Sequence, residues 1–178
     1  METKNDPISD PGQIHKTYEV EHRFRVGANW FFWIAGLSLV NSAVILSGSD
    51  WSFVIGLGTT QVIDVIATEV AQQPDAPETT VKLVAFGLDL VVAGMVVLFG
   101  ILARTRFVTA FVIGMFLYGI DGLIFVLAED WLSIGFHVFA LFGLWGGLKA
   151  LGQLKQIQST ASEVVLTIPS DQLPDVAD

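Results

Sequence analysis

The chain has 178 residues, of which 52% are hydrophobic and 15% charged, where an ordinary soluble domain carries about 25% charged residues. Its mean hydropathy is +0.61, so it belongs to the membrane class, with room for one compact domain and none for a separate soluble catalytic one. Nine basic against 18 acidic residues give a net charge of −9, which argues against a nucleic-acid partner. The absence of cysteine excludes disulfides, thiolate catalysis, iron–sulfur clusters and c-type haem attachment.

Residues 1–16 are polar and carry Pro7, Pro11 and Gly12, which predicts a disordered tail. From Thr17 to Val26 the pattern alternates like a strand, yet Glu19–Arg23 and Glu21–Arg25 are also helical i,i+4 pairs. Continuity with the apolar run that follows favours a short juxtamembrane helix. The first span is expected at 27–46, with Trp30 and Trp33 at headgroup level. An apolar core this long after a 26-residue leader does not fit a cleaved signal peptide. Three further runs reach the roughly 20 residues that a bilayer core requires, at 83–103, 107–127 and 131–151.

The run 51–71 decides the topology, because it begins apolar and then carries Gln61, Asp64, Thr68 and Glu69. If it crossed, the basic residues near the span ends would divide evenly between the two faces. If it stays on one face, Lys4, Lys16, Arg23, Arg25, Arg104, Arg106, Lys149 and Lys155 collect on one side and only Lys82 on the other. The positive-inside rule therefore selects four spans. The expected fold is all-α: an integral membrane four-helix bundle with an additional amphipathic or re-entrant helix, about 51–71, on the external face. In this helix Gln61, Asp64 and Thr68 oppose an apolar stripe of Ile55, Val62, Ile66 and Val70.

The domain plan is thus 1–26 as cytoplasmic tail and juxtamembrane helix, 27–151 as transmembrane domain, and 152–178 as a helix extension followed by an acidic tail. The extension is read from Leu148, Leu151, Leu154 and Ile157, and the tail from Pro169 and Pro174. The expected setting is a bacterial-type inner membrane, multi-pass, with both termini cytoplasmic. The lipid bilayer is the partner that composition requires. A homo-oligomer or a membrane-protein partner fits the 17 glycines, among them the pair Gly143 and Gly147 at the helix-packing spacing.

An ionisable residue at the centre of a span costs about 2.5–3.5 kcal/mol on insertion scales, so each needs a reason. Three are present, Asp89, Asp121 and His137, and Asn41 joins them as a polar residue of the first span. Counted from the span ends, all four lie about 9–10 Å below the external boundary at 1.5 Å per residue. The same side carries Gln61 and Asp64. This layer is the candidate pocket, expected to bind or conduct protons, a small cation or a polar ligand. The bland alternative is that the polar groups hydrogen-bond between helices and fix register in an accessory subunit of a membrane complex. A third reading is an intramembrane enzyme using Asp89, Asp121 and His137, with Ser38, Ser42 or Ser133 as a hydroxyl nucleophile. Ser133 stands at i−4 from His137, a spacing that more often yields a backbone hydrogen bond. Two aspartates and a histidine can ligate zinc or manganese, but no spacing enforces it, and no cofactor is expected. Gly56 to Thr60 lacks the lysine of a phosphate loop and predicts a bend.

Overall fold

In a computed structural model, residues 11–47 and 56–167 are described, with side chains to Glu163. The described chain is helical throughout: α1 Pro11–Leu46, α2 Gly58–Ala71, α3 Glu78–Arg104, α4 Val108–Asp121, α5 Leu123–Leu127 and α6 Trp131–Thr167. Four segments are long and apolar enough to cross a membrane: α1, α3, α4 with α5, and α6. The chain is a multi-pass membrane protein built as a helical bundle. Their outer faces, with Val84, Leu88, Val91, Leu98, Phe116, Leu123 and Phe142, are exposed and apolar, as contact with lipid requires.

Lipid tails are as apolar as leucine, so helix association in a bilayer depends on close approach at small residues. Gly27 of α1 lies against Gly147 of α6, and Gly143 packs under the Trp30 indole. The Gly143 and Gly147 spacing therefore forms the α1–α6 seam, which runs on through Val20, Phe24, Leu151 and Leu154. On the other side of α1, Gly100 of α3 receives Phe31 and Phe32, and Gly114 of α4 receives Phe31 and Phe99.

Both tight interhelical turns are closed by paired backbone bonds. After α3, Phe107 N–H bonds the Leu102 carbonyl (3.3 Å) and Arg106 N–H the Ala103 carbonyl (2.9 Å). After α5, Asp130 bonds Phe125 (3.0 Å) and Glu129 bonds Val126 (3.3 Å). This is the Schellman arrangement, usually made with glycine at the left-handed position. Here that position is taken by Arg106 (φ 64°) and Glu129 (φ 55°). Arg106 is further held by Glu21 at 2.7 Å.

One boundary differs from the sequence expectation. The tail predicted over residues 1–16 is helical from Pro11 onward among the described residues. The segment Thr17–Val26 is helix, continuous with the span. The extension beyond residue 151 runs to Thr167. Residues 1–10, the segment 48–55 with Trp51 and Ile55, and the tail carrying Pro169 and Pro174 lie outside the described residues.

Helix α2, the described part of the expected 51–71 helix, does not cross the bundle. The Leu57 amide donates to Ser38 Oγ at 2.6 Å, and Ser38 lies eight residues before the end of α1 at Leu46. That places the start of α2 about 12 Å below that end. From there α2 climbs back, bringing Ala67 and Thr68 beside Ile45, Leu46 and Lys82. Of the two forms expected, interfacial or re-entrant, the re-entrant one is found. The stripe polarity is the reverse of a surface helix: Thr60, Asp64 and Ala67 are buried against α1 and α3, while Val62, Val65, Ile66 and Val70 face outward.

Candidate functional site

Every buried polar side chain among the described residues lies in the α2 half of the bundle: Ser38, Asn41, Ser42, Thr60, Asp64, Asp89, Asp121, Ser133 and His137. They form two groups, both organised by α2.

The first group fixes the start of α2. A helix leaves its first amides without intrahelical acceptors, and α2 has no capping side chain of its own. Asp121, the last residue of α4, supplies the acceptors. Its Oδ2 takes the Gly58 amide (2.6 Å), and its Oδ1 takes the Thr59 amide (2.8 Å) and the Thr59 hydroxyl (2.6 Å). A carboxylate at a helix N-terminus also meets the positive end of the helix dipole.

His137 completes this clamp. Its Nε2 lies 3.2 Å from Asp121 Oδ2, and its Nδ1 lies 3.1 Å from the Ser133 carbonyl oxygen. A carbonyl only accepts, so Nδ1 carries a proton. The contact between Nε2 and Asp121 Oδ2 needs one further proton, held between the two atoms. The pair as a whole is neutral whichever of the two atoms carries that proton. Tyr118 stacks on the imidazole with ring centres 4.4 Å apart, and Phe125 closes the other side at 4.9 Å.

The second group lies farther along α2. Asp64 is five residues past Thr59, about 7–8 Å along the helix. Its Oδ2 accepts the Ser42 hydroxyl at 3.0 Å. Asp89 of α3, fully buried, lies close to both Asp64 and Ser42, yet neither of its oxygens has a hydrogen-bond partner. Both polar atoms of Asn41 and the Tyr118 hydroxyl are likewise buried without a partner. Buried groups of this kind are rare and call for an explanation. A cleft of about 10 Å³ reaches Asp64 from the α2 end, passing Thr68, Lys82 and Phe86, with room for about one water.

The expected single layer is therefore divided. Asp121 and His137 meet; Asp89 turns away from them and meets Asp64 instead. Asn41 is buried beside Ser42 in sequence and makes no hydrogen bond. Gln61 is half-buried and is absent from both sets of contacts. Among the described residues, no three His, Asp or Glu side chains converge as a metal-ligand group. The three serines are all engaged. Ser38 accepts the Leu57 amide and Ser42 donates to Asp64, while Ser133 donates to Asp130 Oδ2 at 2.6 Å. His137 faces the Ser133 carbonyl and not its hydroxyl.

Sequence reasoning missed Gly58, Thr59 and Tyr118. Tyr118 had a usable signal, since it stands three residues before Asp121 on the same helix face. The glycine and threonine had none, because their role depends on backbone amides. Outside the spans, Asp130 caps α6: its carboxylate also takes the Ser133 amide at 3.2 Å. The Ser133 hydroxyl, then its amide, hold the Asp130 carboxyl below the usual carboxylate range.

The deep half of the bundle, from Val20 to Ile34 on α1 with Phe111, Leu144 and Leu151, has an apolar buried core. Compared with known protein families, characterised proteins and solved structures, the chain gives no match.

Proposed function

We propose that this is a proton-binding protein of a bacterial-type inner membrane, loaded at the Asp64–Asp89 pair from the α2 side. Asp89 carries the reading. It is a fully buried carboxyl with two unpartnered oxygens, facing a second carboxyl. Two carboxylates at close range in a low-dielectric site cannot both ionise cheaply, and one proton between them turns repulsion into a hydrogen bond. The cleft beside Asp64 admits a water or a proton and excludes a larger ligand.

Binding is favoured over conduction. Ser38 and Arg23 stand 15 positions apart on α1, about 22 Å, and the core buried alongside that stretch is apolar among the described residues. A proton held at Asp89 has no polar relay through that half. The collection of basic residues at the other end of the bundle supports cytoplasmic termini and an external α2.

The test is an infrared pH titration of the full chain in lipid vesicles, following the C=O stretch of protonated carboxyls. Wild type should show a band that titrates between about pH 4 and pH 9, the range open to buried carboxyls. Asp89→Asn should remove it. An identical titration in wild type and Asp89→Asn defeats the reading.

A second reading, an accessory subunit, is favoured by α3. Val84, Gly87, Val91, Gly94 and Leu98 recur at heptad spacing on its exposed face, and Gly87 and Gly94 have nothing within 4 Å. A second helix can approach closely there, either from another copy or from a membrane partner. The enzyme reading has less support, since Ser38, Ser42 and Ser133, its expected nucleophiles, are all engaged.

A further inference from the structure

Lys82 is the one basic residue at the α2 end among the described residues, and it lines the same cleft as Asp64 and Thr68. It lies two turns from Asp89 on the same face of α3. Its Nζ is drawn outward to Glu78 at 2.6 Å, leaving Lys82 partly buried and Glu78 largely exposed. An exposed i,i+4 pair of this kind contributes only about 0.3–0.5 kcal/mol, so little holds the ammonium in that pose. A lysine is a point charge on a flexible four-carbon stem, and its other available direction is down the cleft toward Asp64.

We infer that Lys82 is an exchangeable counter-ion for the buried carboxyl pair, resting on Glu78 while the pair holds its proton and turning to Asp64 when the proton leaves. The inference rests on the proton-binding reading and adds the group that makes release feasible. Without it, deprotonation leaves two negative charges facing each other in the bundle. With it, the outgoing proton is exchanged for an ammonium already lining the cleft that reaches Asp64. The proton itself passes to water at the α2 end.

The charged groups around the cleft are few. From α3 come Asp89, Lys82 and Glu78. From α2 come Asp64 and the exposed Glu69, while α1 contributes Ser42 and apolar side chains, and α5 is apolar throughout. Asp121 and His137 are engaged with each other and with the start of α2.

The experiment is the infrared titration of the Asp89-dependent band in full-length protein carrying Lys82→Gln, Glu78→Gln or both. Lys82→Gln should raise the midpoint by about one pH unit, the scale of effect for an opposite charge within reach of a carboxylate. Glu78→Gln frees the ammonium and should lower the midpoint, and this effect should vanish in the Lys82→Gln background. A midpoint indifferent to Lys82→Gln overturns the inference while leaving proton binding intact. A Glu78→Gln shift of equal size in both backgrounds also overturns it, since Glu78 then acts directly. If wild type shows no Asp89-dependent band, the proton-binding reading falls, and the counter-ion falls with it.

Discussion

Replacing Asp121 with Asn tests whether α2 is held in the bundle by its N-terminal clamp. The carboxylate accepts the amides of Gly58 and Thr59, the Thr59 hydroxyl and the imidazole. Whichever way the asparagine amide is turned, its NH₂ confronts one of the two backbone N–H groups. A buried donor left unsatisfied costs about 1–3 kcal/mol, and hydrogen bonds to a charged group lose about half their strength when the acceptor becomes neutral. The expected loss is roughly 3 kcal/mol, which corresponds to about 100-fold in the local opening equilibrium at 1.36 kcal/mol per decade. Amide hydrogen exchange resolves this, because the Gly58 and Thr59 amides depend on Asp121 whereas those within α3 depend on the helix ladder. Exchange at residues 58 and 59 should rise about 100-fold in Asp121→Asn with amides of Val92 to Val96 unchanged. Unchanged exchange at 58 and 59 refutes the clamp, and an equal rise in α3 shows that the cost is global and not confined to the re-entrant helix.

Two further outcomes follow from the termini and caps. Single-cysteine labelling has no background in a chain without cysteine, so a cysteine at Gln73 should react only from the external side of oriented vesicles and one at Ser159 only from the other; reaction of both from one side rejects the four-span arrangement. Asp130→Ala should lower stability by about 0.5–2 kcal/mol, the usual value of an N-cap, with Asp130→Asn close to wild type by thermal melting. Because the Asp130 carboxyl is held below its ordinary value, its contribution is complete above the unfolded carboxyl value of about 3.9 and fades as pH falls through the folded one. The Asp130→Ala deficit should therefore vanish in strong acid and persist at neutral pH.

The four spans were legible because run length and basic-residue placement are one-dimensional properties. Depth was legible for the same reason: the count that put Asp121 and His137 at one level brought together two groups that bond at 3.2 Å. Rotation about each helix axis was not legible. Asp89 stands at a depth matching Asp121, yet its face of α3 turns to α2 and α1, where Asp64 and Ser42 wait. The small residues Ala85, Ala93, Gly100 and Ala103 are buried on the same face of α3 as Asp89, a stripe that marks which side packs and not which neighbour it meets. The extension of α6 past residue 151 was legible from Leu148, Leu151, Leu154 and Ile157, but its length was not. Beyond Leu154 its residues are exposed or half-buried, so helix there follows from propensity and from continuing an established ladder, which leaves no amphipathic trace.

The inverted polarity of α2 was the hardest feature to read and bears most on function. A stripe of Val62, Ile66 and Val70 opposite Asp64 fits equally a helix resting on the membrane and one inserted into it; only the surrounding solvent differs. On the surface, the carboxyl faces water and has no reason to pair. Inserted, the same stripe faces lipid, and Asp64 is driven against Ser42 and Asp89, the polar side chains buried beside it. Insertion in turn needs an acceptor for the amides at the buried start of α2, which Asp121 supplies. The clamp and the carboxyl pair are thus two requirements of one inserted helix. Asp121 secures the end that cannot be solvated, and on the proposed reading a proton on the Asp64–Asp89 pair neutralises the face that insertion buries. Loss of that proton weakens the attachment of α2 at Asp64 while Asp121 still holds Gly58 and Thr59, so the helix is expected to loosen from its C-terminal half, toward the face through which the proton leaves.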